Sequence, residues 1–314
     1  MQAIMNEIAI GRDEYGRILK ARLDRPRELQ QSLARRRRRS LVQDDGNLLI
    51  LAADHTARGM LAVGSDPLAV ADRYELLNRL VLGLRDDRVD GVLASADILE
   101  ELAFLGALDG RLAIGTMNRG GIIGASWEID DRLTAYDAEH VVAAGLDGGK
   151  TLLRIDHGDR GTARTLEMVA RVTTTLADAG VMNLVEPLPY RKDDQGRAVL
   201  DPSQEALVKV VAIASGLGSS SAFTWLKIPA TDNPEVVAAA TTCPILLLGG
   251  DPGHRWPQVF DRWARAMEAD NVRGLVPGRA LLYPEQLTVQ QAVDRAATIV
   301  HGSSDDGVDR KGLD

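Results

Sequence analysis

Cysteine is nearly absent from this chain, since Cys243 is the only one among 314 residues. A single thiol excludes an internal disulfide framework, a zinc knuckle and an iron–sulfur site. Long apolar runs are missing too: nothing approaches eighteen consecutive apolar residues, and the N-terminal segment lacks the apolar centre of a signal peptide. We therefore expect a cytoplasmic protein without a membrane partner.

Positive charge is in the minority, with 37 Lys and Arg against 45 Asp and Glu and a formal net charge of −8. Such a balance disfavours a general nucleic-acid binder, so no nucleic-acid partner is expected. Lysine is scarcer still, because arginine supplies nearly all of the positive charge. The six lysines are Lys20, Lys150, Lys192, Lys209, Lys227 and Lys311.

A short apolar run, a loop and an amphipathic stretch alternate from about residue 46 onward. Runs of seven or eight mostly apolar residues without alternation are typical of strands buried on both faces, as in a parallel sheet. Eight such runs are present: 47–54, 89–95, 112–118, 149–156, 181–188, 222–229, 243–250 and 272–278.

Helical patterns lie between these runs. One face carries Tyr74, Leu77, Val81 and Leu84 after the first run, and another carries Leu166, Val169, Val172 and Leu176 after the fourth. Gly180 is placed to end that second helix, and Asp201-Pro202 and Asn233-Pro234 have the form of helix starts.

Eight strands that alternate with helices over roughly 250 residues predict an α/β protein, a (β/α)8 TIM barrel. A doubly wound open sheet is the alternative, and it is disfavoured because no G-x-G-x-x-G follows any strand. The predicted organisation is a helical extension over 1–46, a catalytic barrel over 47–301 and a flexible polar tail over 302–314.

Five consecutive arginines, Arg35–Arg39, fall in the extension, on a helix predicted to begin near Pro26. They are interpreted as a solvated face or an oligomer contact. An anion or RNA site is the other interpretation.

Ionisable residues are dense at the ends of the apolar runs, where a barrel of this kind builds its active site. Lys227 is the most informative, because a charged ammonium within an apolar run is costly to desolvate. A buried lysine lowers its pKa and supplies a neutral amine that attacks carbonyls, which arginine cannot do. A lysine that reaches water from the strand end, or pairs with a structural carboxylate, is the other interpretation.

Lys150 and Glu186 lie on two further strands. A second cation at Lys150 would depress the pKa of Lys227 or bind a substrate anion, unless Lys150 faces outward. Glu186 is a candidate proton shuttle whose pKa burial would raise toward neutrality, or else a structural partner of these lysines.

Glycines and an arginine end the last two strands, where many such barrels hold phosphate. Glycine allows close approach of the backbone and arginine adds charge-assisted hydrogen bonds. The candidate phosphate residues are Gly249, Gly250, Gly278 and Arg279.

A metal site is the alternative at these strand ends, assembled from His55, His157 and His254 with Glu186 or Asp156. None of these histidines shows a spacing typical of metal ligands. Neither metal nor cofactor is therefore expected.

Five segments resemble, in order, those of the class I (Schiff-base) aldolases of the tagatose-bisphosphate, sulfofructose-phosphate and archaeal-type fructose-bisphosphate group. Within it the chain is most similar to actinobacterial aldolase-like proteins associated with inositol catabolism. The matching segments are AADHTARGML with Asp54 and Arg58, KTLLRID with Lys150, NLVEPLPY with Glu186, FTWLKIP with Lys227, and LVPGRALL with Gly278 and Arg279.

The resemblance implies a homo-oligomeric lyase that cleaves a phosphorylated ketose or keto acid through an imine on Lys227 and releases dihydroxyacetone phosphate. It implies that Glu186 transfers protons and that Lys150 and Asp54 orient the substrate. The association with inositol catabolism suggests 5-dehydro-2-deoxygluconate 6-phosphate, with Arg154, which replaces a usual aromatic, binding its carboxylate.

Two other classes of protein stay open. One is a metal-dependent aldolase or isomerase of the same fold. The other is a sugar-phosphate sensor without catalytic activity that touches nucleic acid through Arg35–Arg39.

Overall fold

A closed ring of eight parallel strands forms the centre of the computed structural model, which describes residues 7–250 and 256–302. Around the ring the order is β1, β2, β3, β4, β5, β7, β8 and β9, and β9 pairs with β1 again. The nine strands are Leu48–Ala52 (β1), Gly91–Ala94 (β2), Leu112–Thr116 (β3), Gly148–Ile155 (β4), Met182–Lys192 (β5), Ala198–Leu200 (β6), Thr224–Pro229 (β7), Ile245–Leu248 (β8) and Val272–Val276 (β9). The predicted (β/α)8 barrel is confirmed, and the open-sheet alternative is wrong.

Helices follow each barrel strand and cover the outside of the ring. Asn233 occupies the N-cap position of the helix that begins at Pro234, as predicted, although its side chain makes no capping hydrogen bond. The helix expected at Asp201 begins instead at Gln204, with Ser203 as its N-cap. The helices are Arg12–Asp24 (α1), Pro26–Arg35 (α2), Arg73–Leu84 (α3), Ala96–Phe104 (α4), Ala138–Ala143 (α5), Gly161–Asp178 (α6), Gln204–Ser215 (α7), Pro234–Ala238 (α8), Trp256–Ala266 (α9), Arg279–Leu282 (α10) and Val289–His301 (α11). None of the described helices is long and apolar enough to cross a membrane.

Alternate residues of each strand enter two different cores. Leu48, Ile50 and Ala52 of β1 belong to the cluster inside the barrel, while Leu49 and Leu51 pack outward against the helices. This is why the runs read as continuously apolar, since a strand that is covered on both faces has no polar side.

One hairpin departs from the predicted pattern. β5 runs beyond the ring to Lys192 and pairs antiparallel with β6, so that Tyr190 lies opposite Leu200. Gly196 turns the chain between them at φ +76°. The hairpin rises above the barrel mouth, where Tyr190 and Leu200 line a pocket.

The N-terminal extension forms two helices that share the outer core of the barrel. Ile18 and Ala21 of α1 and Leu29 and Leu33 of α2 are buried in that core. Residues 1–6, 251–255 and 303–314 lie outside the described residues, and with them nearly all of the predicted tail.

The arginine run does not lie on a helix beyond Arg35, so the predicted placement is wrong. α2 ends there because Arg36 adopts an extended backbone, and its buried side chain pairs with Asp147 at 2.5 Å. Arg38 pairs with the other oxygen of Asp147 at 2.9 Å, and Arg39 pairs with Asp90 at 2.6 Å.

These two aspartates precede β4 and β2 and accept hydrogen bonds from the backbones of neighbouring strands. Asp147 accepts from the N–H of Ala113 at 2.9 Å, and Asp90 accepts from that of Leu49 at 2.6 Å. Three of the five arginines thus fasten the extension to the N-terminal end of the barrel, instead of forming a solvated face.

His301 joins the same cluster from the end of α11. Its ring lies 2.5 Å from Asp45 and 3.2 Å from Asp90. Burial lowers the pKa of His301, but the two aspartates outweigh burial and raise it above the usual 6.5. A raised pKa means that the charged ring stabilises the fold below about pH 6.5, and that this stabilisation is lost as the pH rises through the folded-state value.

We expect His301→Gln to lower the free energy of unfolding by about 1 kcal/mol at pH 6, and the difference from the wild type to vanish by about pH 9. Urea unfolding across this range measures it. His157→Gln, at an exposed histidine after β4 that pairs with no carboxylate of the described residues, is the matched control and should retain the pH dependence of the wild type. A difference for His301→Gln that grows with pH would contradict the assignment.

Candidate active site

Three of the predicted catalytic residues occupy inward-facing positions of β4, β5 and β7, and the fourth, Asp54, lies two residues after β1, all in one layer above the apolar interior. Glu186 lies two residues after Leu184, and Lys227 two after Trp225, and both apolar residues belong to the inner cluster. Since side chains two apart on a strand share a face, the same alternation that fills the barrel places both charged groups at its C-terminal mouth.

Two lysine ammonium groups converge on one carboxylate oxygen. Glu186 Oε2 lies 2.5 Å from Nζ of Lys150 and 3.3 Å from Nζ of Lys227. Both lysine side chains are almost fully buried, with exposed fractions of 1% and 3%. Lys150 therefore faces into the barrel, and the outward-facing alternative is wrong.

Asp54 is the second carboxylate of this layer, and two hydrogen-bond donors and one guanidinium group surround its Oδ2 atom. Nζ of Lys150, Oγ1 of Thr116 and Nη2 of Arg119 each lie 3.2 Å away. Arg119, which directly follows the third predicted strand, is not among the predicted site residues. Its signal in the sequence is the same as theirs, a charged residue at the end of an apolar run.

The two carboxylates are ionised. Burial alone would raise the pKa of Glu186, but Lys150 and Lys227 outweigh it and lower the value to about 2. The expectation that burial would bring Glu186 toward neutrality is therefore wrong, because the lysines are closer than the sequence could show. Arg119, Lys150 and Lys227 likewise overcome burial at Asp54 and hold its pKa well below the usual range.

The pKa values of Lys150 and His55, which belong to this layer, are both lowered. Burial and the charge of Arg119 lower the pKa of Lys150 to about 8, against the opposing effect of Asp54 and Glu186. Burial lowers the pKa of His55 to about 3, so its ring is neutral at physiological pH.

These side chains line a pocket of about 250 Å³ at the barrel mouth. Five cationic groups and two carboxylates face it, which gives a net charge of +3 in a chain whose overall charge is −8. The cations are Arg58, Arg119, Lys150, Lys227 and Arg279, and the carboxylates are Asp54 and Glu186. A larger open groove between α5 and α6 contains none of them. The pocket at the mouth therefore suits a small, multiply charged anion.

All four predicted phosphate residues line one side of this pocket, at the ends of β8 and β9. Gly278 must be glycine, because a Cβ atom there would lie 2.5 Å from the carbonyl oxygen of Ala52 and 2.7 Å from Cε1 of His55. Arg279 is 7% exposed, and its Nη1 donates to the carbonyl oxygen of Ala62 at 2.9 Å.

Arg58 also lines the pocket, at the end of the 3-10 turn Thr56–Arg58. Its side chain is buried, yet within the described part of the chain no carboxylate pairs with it and its Nε has no hydrogen-bond acceptor. A buried guanidinium that no carboxylate pairs with is costly to desolvate.

Arg154 does not reach the pocket. Its guanidinium is buried beneath the loop after β3, 2.6 Å from Glu128 and 3.2 Å from Asp131, and donates to the carbonyl oxygen of Gly121 at 3.0 Å. A Cβ atom at Gly121 would lie only 1.8 Å from this guanidinium. In the structure Arg154 holds the loop.

The remaining predicted strand-end residues are not part of the pocket lining. Asn118 clamps β3 to β4 through two hydrogen bonds with the backbone of Leu152, at 2.6 and 2.7 Å. Asp156 accepts from the N–H of Gly158 at 2.9 Å, and His157 is exposed. No group of three His, Cys, Asp or Glu side chains in the described ranges could hold a metal ion, and His254 lies outside those ranges.

A family model described as Cgl0159-like matches residues 46–297, which is most of the chain. The chain belongs to the Cgl0159-like family. The crystal structure of Cgl0159 from Corynebacterium glutamicum matches with a TM-score of 0.91 and 43% sequence identity, over 94% of this chain and 99% of that one.

More distant structures share the barrel. An archaeal fructose 1,6-bisphosphate aldolase matches with a TM-score of 0.64 at 20% identity, over 88% of this chain and all of that one. Another archaeal aldolase, solved with its catalytic lysine covalently bound to a carbinolamine intermediate, gives 0.60 at 19% identity, over 87% and 99% of the two chains. Identities this low establish the fold alone. No curated protein matches the chain.

We expect Arg154→Met to lower the free energy of unfolding by about 3 kcal/mol, because Glu128 and Asp131 would keep buried charges without a partner. Denaturant unfolding measures the loss. The triple variant with Glu128→Gln and Asp131→Asn should recover part of it. Unchanged stability together with weaker substrate binding would instead make Arg154 a substrate contact.

Proposed function

We propose that the protein is a class I aldolase that reversibly cleaves a carbon–carbon bond of a phosphorylated ketose or keto acid and releases dihydroxyacetone phosphate. The observation that carries this proposal is the convergence of Lys150 and Lys227 on Glu186 Oε2, at the floor of a pocket of net positive charge. Imine formation requires a buried amine with a proton acceptor within hydrogen-bond distance, and an anionic sugar requires the surrounding cations.

Lys227 is the nucleophile in this proposal. As the neutral amine it attacks C2 of the ketone to form a carbinolamine, whose hydroxyl takes up a proton and leaves as water. The product is an iminium ion. Glu186 accepts the proton that Lys227 must release, since its oxygen lies 3.3 Å from Nζ.

Cleavage follows from the electron demand of the iminium. The C4 hydroxyl loses its proton to Glu186, directly or through water, and the electron pair of the C3–C4 bond moves onto the iminium to give an enamine. Protonation at C3 and hydrolysis release dihydroxyacetone phosphate and restore the amine. The iminium withdraws electrons as a divalent cation would, so this route uses no metal.

Glu186 does not keep the protons that it receives. Its pKa of about 2 makes it a weak base, whereas Lys150, 2.5 Å from the same oxygen, has a pKa of about 8. We assign Glu186 as the relay and Lys150 as the group that stores the proton. Asp54 holds Lys150 in place and orients substrate hydroxyls.

The ends of the substrate occupy two regions of the pocket. Gly249, Gly250, Gly278 and Arg279 hold the phosphate of the dihydroxyacetone half. Arg58 pairs with a second anionic group at the other end. Arg58 takes this role in place of Arg154, whose charge Glu128 and Asp131 already balance.

The specific substrate proposed is 5-dehydro-2-deoxygluconate 6-phosphate, which would yield dihydroxyacetone phosphate and malonate semialdehyde. In this acid the ketone that Lys227 attacks is C5, the C3 hydroxyl loses its proton as the C3–C4 bond breaks, and C4 of the enamine is protonated. Its phosphate and carboxylate match the two regions of positive charge. The resemblance to aldolase-like proteins of inositol catabolism supports the same substrate, and it also suggests a homo-oligomer.

Borohydride reduction in the presence of dihydroxyacetone phosphate is expected to leave a stable adduct on Lys227, located by peptide mass mapping, because borohydride reduces an imine to a secondary amine. Lys227→Ala should abolish the adduct. Lys227→Arg, which preserves the charge, should abolish it as well, since a guanidinium stays protonated.

The same experiment distinguishes the alternatives. If borohydride leaves no adduct on any lysine, the imine mechanism is wrong. Cleavage that survives Lys227→Ala and stops with EDTA would establish a metal-dependent enzyme. Binding of sugar phosphates without an adduct or turnover would indicate a sensor. The sensor alternative expects nucleic acid to bind at Arg35–Arg39. Three of these arginines, Arg36, Arg38 and Arg39, already pair with aspartates of the protein.

We expect Arg58→Met to raise KM about 30-fold for a substrate with two anionic ends, the equivalent of about 2 kcal/mol for a charge-assisted contact. It should leave the yield of the adduct with dihydroxyacetone phosphate nearly unchanged, because that molecule fills only the phosphate end. Steady-state kinetics with 5-dehydro-2-deoxygluconate 6-phosphate and with fructose 1,6-bisphosphate provides the measurement. If Arg58→Met weakens cleavage and adduct formation equally, Arg58 lies at the phosphate end of the pocket. If the wild type shows no preference for 5-dehydro-2-deoxygluconate 6-phosphate over fructose 1,6-bisphosphate, the specific substrate is wrong.

A further inference from the structure

Arg119 occupies a position that none of the steps above uses. It lies three residues after the end of β3, is 6% exposed, and lines the pocket. Three contacts fix it: its Nε donates to the carbonyl oxygen of Asn118 at 3.0 Å, its Nη1 to that of Asp54 at 3.5 Å, and its backbone N–H to Oγ1 of Thr134 at 2.9 Å. Asn118 is itself locked to the backbone of Leu152. The guanidinium is therefore held on a rigid frame.

Arg119 and Lys150 compete for the same atom. Both cations lie 3.2 Å from Oδ2 of Asp54, which also accepts from Thr116. One carboxylate oxygen that two cations share neutralises neither of them fully. The cation that is able to lose a proton is Lys150, because a guanidinium stays protonated throughout the accessible pH range.

We propose that Arg119 is a positioning residue whose fixed charge, by sharing Asp54 with Lys150, makes Lys150 release its proton readily and so readies it for proton exchange with Glu186. The catalytic part of this role rests on the proposed aldolase function, in which Lys150 exchanges protons with Glu186. The electrostatics agree with the geometry, because Arg119 is the charge that lowers the pKa of Lys150 most strongly after burial itself.

The proton transfer balances within the site. When Lys150 is neutral, the ammonium of Lys227 gives a proton to Oε2 of Glu186, and the same oxygen passes a proton to Nζ of Lys150. The transfer leaves a neutral Lys227, ready to attack, and a charged Lys150, with the total charge unchanged. Without Arg119, Lys150 would hold its own proton more tightly and would accept that of Lys227 less often.

The six lysines of the chain make Lys150 directly measurable. Full-length protein labelled with lysine that carries ¹³C at Cε should give six signals, and Lys150→Arg identifies one of them. We expect Lys150 to titrate near pH 8 in the wild type. In Arg119→Met the midpoint should rise by about one unit, because a neighbouring like charge has been removed.

Three further variants make the comparison sharp. Arg119→Lys adds a seventh lysine signal and retains the positive charge. The titration midpoint of Lys150 in this variant should therefore remain within about half a pH unit of the wild-type midpoint. Asp54→Asn should shift the midpoint of Lys150 downward, the opposite direction, because it removes an attracting charge. Arg58→Met removes another cation of the pocket, one that makes no contact with Lys150 or Asp54, and should leave the titration of Lys150 nearly unchanged.

The pH dependence of adduct formation with dihydroxyacetone phosphate is the second readout. The rate should rise with pH through the midpoint of Lys150, and Arg119→Met should move that rise upward by about one unit. An unchanged Lys150 titration in folded Arg119→Met would overturn the inference even if the adduct forms. If Arg119→Met does not fold, the Asp54→Asn variant provides the test. A Lys150 titration midpoint that stays at the wild-type value in Asp54→Asn would then overturn the inference. Absence of the adduct in the wild type would overturn the aldolase function and leave the NMR result standing.

Discussion

The shared oxygen of Glu186 is the interaction on which the rest of the site depends. Two ammonium groups within 3.3 Å of one carboxylate oxygen would be unfavourable in isolation, because burial removes the water that stabilises all three charges. Asp54 and Arg119 extend the arrangement so that each carboxylate touches more than one cation. The excess of positive charge that results is suited to an anionic ligand and would be partly relieved by one.

The barrel supplies the rigidity that such a network needs. Lys150, Glu186 and Lys227 emerge from strands whose neighbouring inward residues are buried, and Asp54 lies two residues after such a strand. Asn118 adds a clamp between β3 and β4. Asp54, Lys150, Glu186 and Lys227 therefore have little freedom to relax away from one another. The cost of keeping like charges close is borne by the packing of the whole ring.

Sequence patterns were sufficient for the ring and for the side chains that point into it. Eight apolar runs predicted eight parallel strands, and Lys150, Glu186 and Lys227 were recognisable as charged residues within such runs. Arg119 was not predicted as a site residue, because it lies just past the third apolar run, where a charged side chain ordinarily faces water. The burial of Arg154 beneath a loop depends on tertiary contacts that no local pattern encodes. The same holds for the pairing of Arg36 and Arg38 with Asp147 and of Arg39 with Asp90. The lowered pKa of Glu186 depends on distances, which are likewise invisible in sequence.

The arginine fastening at the N-terminal end of the barrel has a consequence for the order of folding. Arg36 and Arg38 are synthesised before their partner Asp147, which lies about a hundred residues downstream, just before the fourth barrel strand. α1 and α2 also dock against α4, with Arg22 pairing with Glu101. α2 can therefore pack on α4 before β4 exists, but the ion pairs of Arg36 and Arg38 form only after β4, the fourth of the eight barrel strands, has been synthesised.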